Sequence, residues 1–238
     1  LFEIILETDP DHIDSLYLVS VSSRYLKKFD ESRKYIERLL FIAPDMGRAY
    51  QELGHIHRDM GNLAKAAIHY RQACELNPAL LASWNCLYKY FVESKNKPAA
   101  DHAREQIEKL QSLPPALLYI DQIMNEGRLG IAETQCRAFL KKNPMHTYAM
   151  SLLSEIANRL GYFDDAEFLL EKAVEFEPKD GELRMKYAQI LRKKQKFAKT
   201  MEQVNILCDQ YPDNHTYQAQ KASEVMQNGG HEEAIKLL

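Results

Sequence analysis

Six prolines at a fixed interval constrain this chain more than any other feature. Pro10, Pro44 and Pro78 lie 34 residues apart, and Pro144, Pro178 and Pro212 repeat the interval. Each follows a stretch of helical apolar periodicity, where a residue without an N–H ends a helix. Such a chain folds as a series of helix-turn-helix units, none able to bury its apolar face alone and each stacked on its neighbours. On this interval the full units are residues 13–46, 47–80, 81–112, 113–146, 147–180 and 181–214. Residues 1–12 read as the second helix of a truncated preceding repeat and 215–238 as a truncated seventh unit. The expected fold class is an all-α solenoid of antiparallel helix pairs.

Residues 47–80 carry the most specific pattern. Tyr50, Leu53, Gly54, Ala66, Tyr70, Ala73 and Pro78 stand where small and large residues must alternate for two helices to pack: Gly54 and Ala66 permit close approach, and Tyr50, Leu53 and Tyr70 fill the space around them. Taken with the 34-residue period, the chain resembles tetratricopeptide repeat (TPR) proteins over nearly its whole length. The resemblance implies a right-handed superhelix whose concave face, lined by first helices, receives a partner.

Residues 147–180 repeat the logic. Leu152, Leu153, Ile156 and Leu160 share one helical face, and Ala166, Leu170 and Ala173 another. Gly161 between them is expected to end the first helix, and Asp164, with Glu167 three residues on, to cap the second. The third unit departs: Ser112 replaces the terminal proline, Pro98 stands near the inter-helix turn, the unit is two residues short, and Pro114-Pro115 follow at once. This places a bend near residues 96–116. The chain starts at Leu1 and stops at EEAIKLL, within a second helix, so both ends read as cuts from a longer protein.

Composition excludes several classes. With 31 basic and 34 acidic residues the net charge is −3, which favours neither nucleic acid nor an anionic membrane as partner. Cys74, Cys86, Cys136 and Cys208 form no CxxC pair, so a reducing, cytoplasmic setting is expected. The uncharged stretch from Leu76 to Tyr88 is well short of the roughly 18 apolar residues of a membrane span. No GxGxxG, GxxxxGK[ST], GxSxG or HExxH occurs, so no catalytic residue, cofactor or metal is assigned. His55 and His57, two apart on a helix, point about 200° away from one another and do not form a metal pair.

Position within each first helix then selects the groove residues. In unit 47–80 these are Arg48, Gln51 and His55 with Asp59; in 81–112, Asn85 and Lys89 with Glu93; in 113–146, Asp121 and Asn125. In 147–180 they are Tyr148, Ser151, Glu155, Asn158 and Arg159, and in 181–214 Gln189 and Arg192, with Glu182, Met185 and Lys193. The lining is polar and mixed in sign, and no three consecutive units show the Lys and Asn set with which chaperone-binding TPR domains hold a C-terminal carboxylate. An extended peptide or neighbouring domain suits it better. The one basic run, Arg192 to Lys196, lies in a unit of net charge +3 that follows a unit of −5. It reads either as a solvated helix end or as a docking patch for an anion.

The strings Cys136-Arg137-Ala138-Phe139-Leu140, Asn143-Pro144-Met145-His146 and Asp165-Ala166-Glu167-Phe168 resemble the repeat region of bacterial proteins in which TPRs precede a sulfotransferase domain. That resemblance implies a non-catalytic arm of a larger enzyme. Three functions are carried forward: a protein-interaction scaffold, such an arm, and a self-association module forming homo-oligomers.

Overall fold

The computed structural model describes residues 2–227; the end of the proposed seventh unit, with Leu237 and Leu238, lies outside the described residues. The described chain is all-α, fourteen helices arranged as sequential antiparallel pairs. It divides into two compact units, residues 1–128 and 129–238.

The first unit holds α1 (Phe2–Thr8), α2 (Ile13–Tyr25), α3 (Phe29–Ile42), α4 (Gly47–Asp59), α5 (Leu63–Leu76), α6 (Leu81–Glu93), α7 (Lys97–Gln111) and α8 (Pro115–Asn125). The hairpins α2/α3, α4/α5 and α6/α7 pack internally, and α3 on α4 and α5 on α6 join them. Leu16, Ile36, Leu39, Ala49 and Ile56 form one core, Ala66, Tyr70, Cys74 and Leu87 the next. The second unit holds α9 (Leu129–Lys142), α10 (Thr147–Arg159), α11 (Phe163–Phe176), α12 (Gly181–Lys193), α13 (Phe197–Gln210) and α14 (His215–Gln227), cored by Ala166, Leu170, Ala173, Tyr187 and Leu191.

Among the described residues, each turn from a first helix to the second helix of the same repeat carries a residue in the left-handed conformation: Lys27, Gly61, Lys95, Gly127, Gly161 and Gln195. Their positions advance by 34 residues, and by 32 across the shortened third unit. One backbone turn therefore recurs throughout, its left-handed residue satisfying the orphan carbonyls of the first helix. Asn96 caps α7 by accepting from the Ala99 amide at 3.3 Å, and Asp180 caps α12 from Leu183 at 3.0 Å. The cap expected of Asp164 is not formed. The helix starts earlier than expected, with Tyr162 at the N-cap of α11 and no side-chain bond, so Asp164 lies within the first turn and pairs with Lys194.

α7 ends at Ser112 and α8 starts on Pro114-Pro115, where a proline-preceding residue is pushed to extended backbone. The last turn of α8 then crosses the starts of earlier first helices. Gln122 accepts from Asn77 Nδ2 at 3.1 Å through its carbonyl and donates Nε2 to the Ala79 carbonyl at 2.9 Å. Glu126 meets Arg48, and Arg128 meets Asp14.

Candidate functional site

The predicted groove residues fall into two sets, one per unit. In the first unit Arg48 lies over the Tyr17 ring, 4.7 Å from its centroid, with Nε 3.4 Å from Glu126 Oε1. Gln51 Oε1 accepts from the Ser83 hydroxyl at 2.9 Å, and Asn85 Nδ2 turns back to the Leu81 carbonyl of its own helix at 2.9 Å. His55 Nδ1 is 2.6 Å from the Tyr70 hydroxyl. Burial pushes His55 down to about 4, helped by the nearby Arg58 and Arg24 cations, while burial pushes Tyr70 up. The imidazole is thus neutral and shares a hydrogen bond with the phenol.

Beside this pair is a cavity of about 190 Å³ walled by α4, α5 and α6. Ala66, Ala67 and Tyr70 give it an apolar floor, and Arg58, Lys89 and Glu93 stand at its rim. An apolar cavity of roughly 150 Å³ holds a benzene ring, so this one takes a large side chain. Cys86 is half-buried in its wall, 3.9 Å from Arg58 Nη1. Lys89 is exposed and has no ion pair among the described residues.

Sequence position picked out Asp59 but missed the other members of the strongest polar cluster here. Arg24, 7% exposed, donates Nε to Glu52 Oε1 at 2.6 Å and Nη1 to Asp59 Oδ2 at 3.0 Å, and Arg58 closes on Asp59 at 2.8 Å. Arg24 and Arg58 occupy the first-helix register of Asn158 and Arg192, so the repeat pattern held the signal. Glu52 lies off that register and is fixed only by Arg24.

In the second unit the same register pairs laterally between neighbouring repeats. Lys186 Nζ donates to Ser151 Oγ at 3.0 Å and Lys193 Nζ to Asn158 Oδ1 at 2.7 Å. Arg192 meets Glu224 at 2.5 Å and also Gln227. Glu155 accepts from Arg159 at 2.8 Å and Asn158 at 3.3 Å, Tyr148 is half-buried, and Gln189 borders a cavity of only about 50 Å³. The basic run is absorbed into the fold: Lys194 bonds Asp164 and Glu167, and Lys196 bonds Glu167 at 2.6 Å. The adjacent charges of −5 and +3 are thus an inter-repeat contact rather than an anion patch.

Residues 47–80 and 148–180 each match the family model for the tetratricopeptide repeat. Those two segments are tetratricopeptide repeats. The first TPR carries the cavity floor, Arg48, Gln51 and His55; the second carries Ser151, Glu155, Asn158 and Arg159. Anaphase-promoting complex subunit 8 of Arabidopsis thaliana is 29% identical over 101 residues, 42% of this chain and 17% of that protein, so the chain spans about a sixth of the relative's length. MamA from Desulfovibrio magneticus RS-1 is 13% identical with a TM-score of 0.44, over 81% of this chain and 91% of that one. TTC0263, a thermophilic TPR protein of Thermus thermophilus, is 18% identical with a TM-score of 0.40, over 90% and 99%. The Cut9–Hcn1 hetero-tetramer is 14% identical with a TM-score of 0.43, over 94% and 45%. The resemblance to sulfotransferase-linked repeats finds no support among these relatives.

Among the described residues no group of three or more His, Cys, Asp or Glu could hold a metal ion, and no helix is long and apolar enough to cross a membrane. His57 does not approach His55. It stacks on His69 with centroids 5.1 Å apart.

Proposed function

We propose that the chain is a protein-interaction scaffold that takes a partner segment along the first-helix face of its TPRs. The cavity between α4, α5 and α6 anchors one large apolar side chain of that partner, and its volume is the observation that carries the reading. Arg58 is neutralised by Asp59, which leaves Lys89 to favour a carboxylate next to the anchor. The second unit contributes less, because its polar register is internally bonded and its cavity admits no side chain. A relative named as a subunit of the anaphase-promoting complex supports a place in an assembly.

The test is selection from a displayed library of random 15-residue peptides. Enrichment of an aromatic or large aliphatic residue beside Asp or Glu is expected, with binding weakened about tenfold by Ala67→Leu, which fills the cavity, and by Lys89→Glu. Selected peptides indifferent to both changes overturn the anchor.

A further inference from the structure

Hairpin repeats touch their immediate neighbours, yet the end of α8 reaches three repeats at once. Gln122 bonds Asn77 and the Ala79 carbonyl ahead of α6, Glu126 meets Arg48 at the start of α4, and Arg128 Nη2 meets Asp14 Oδ2 at 3.2 Å near the start of α2. Arg48 and Asp14 occupy the second position of their first helices, where a groove ligand would begin to be read. We infer that the segment Gln122 to Arg128 is an intramolecular latch closing the Arg48 end of the groove, and that a partner segment displaces it by bringing a carboxylate of its own to Arg48. The inference rests on the groove reading above.

Three observations support it. The contacts are polar and not all well made: the Arg48–Glu126 pair stands at 3.4 Å, with Glu126 only 5% exposed and its Oε1 lacking an aligned donor, and the Arg128–Asp14 pair is solvent-exposed. The segment contains the left-handed turn residue Gly127, φ +77°, while Leu117 and Ile120 earlier in α8 stay fully buried and hold the body of the helix in place. The distance is also right. Arg48 and Arg58 are ten residues apart on α4, about 15 Å along the helix, which an extended peptide spans in about five residues. A segment anchored in the cavity therefore meets the latch.

The experiment compares the intact chain with Glu126→Lys, which repels Arg48, and with Gln122→Ala, which removes the side-chain bond to the Ala79 carbonyl without a charge change and leaves the main-chain bond from Asn77. Hydrogen exchange across residues 46–52 and 77–81 is expected to quicken at least tenfold in both variants. Both variants are expected to bind peptides from the 15-residue library at least fivefold more tightly than the intact chain, and Lys89→Glu to weaken binding about tenfold in every background. Faster exchange with unchanged peptide affinity overturns the latch and leaves the groove standing. Unchanged exchange overturns it as well. If no background enriches a peptide, the groove reading itself fails and takes the latch with it.

Discussion

Gln195 holds the same left-handed backbone conformation as Gly161 one repeat earlier, φ +57° against +83°. For a residue with a Cβ that conformation costs about 1–2 kcal/mol, while glycine adopts it freely and loses more entropy on folding. Gln195→Gly is therefore expected to stabilise the second unit by about 0.5–1 kcal/mol net, and Lys27→Gly or Lys95→Gly the first by a similar amount. Denaturant unfolding measures it. A loss of stability at all three turns contradicts the account.

Gly54 is fixed by its neighbour. A Cβ there would stand 2.6 Å from the Tyr70 ring, and Tyr70, 2% exposed, has nowhere to retreat. Gly54→Ala gains helix propensity of about 1 kcal/mol but overpacks the interface by about 1–3 kcal/mol. A net loss of stability is expected, with the Tyr70–His55 hydrogen bond broken and the cavity floor displaced. Loss of peptide binding together with a shifted His55 imidazole resonance would register both.

The helices, their pairing and the turn at Gly161 were legible because they are written within one period: a proline, a glycine and apolar spacings of three and four. The fit of Gly54 to Tyr70 was legible for the same reason. What was not legible depends on long side chains reaching between elements. Lys194 reaches Asp164, Arg24 recruits Glu52, and the end of α8 returns across the starts of three first helices. The register of Arg24 and Arg58 was present in the repeat pattern, and the alternation of −5 and +3 held the lateral contact in coarse form. The path of α8 after Pro114-Pro115 had no local signal beyond the break itself.

Glu167 is the acceptor on which Lys194 and Lys196 converge. Burial opposes its ionisation, but hydrogen bonds from the two lysines prevail and hold its carboxyl below the usual carboxylate range. Glu167→Gln leaves the two ammonium groups of the turn before α13 side by side without their shared carboxylate on α11, Lys194 keeping only Asp164. Faster amide exchange is expected in residues 163–170 and 194–200, with the first unit unchanged. The same segments in the parent chain are expected to loosen as salt is raised. Uniform change across both units would instead indicate a global effect.

Acid should weaken the first unit through His55. Its folded-state value of about 4 lies below the roughly 6.5 of an unfolded histidine, so the unfolded chain binds the proton first. The contribution is complete above about pH 6.5 and is lost as pH falls toward 4, at about 1.4 kcal/mol per pH unit. Burial lowers His57 and His69 in the same direction. Burial raises Glu52 and Glu126, which acts with the opposite sign, so total stability is a poor readout. The difference between the parent chain and His55→Gln isolates the term. Between pH 7.5 and 5 the parent should lose about 2 kcal/mol more than the variant, by denaturant unfolding at each pH. Parallel pH profiles would mean that His55 titrates normally and that its bond to Tyr70 does not keep it neutral.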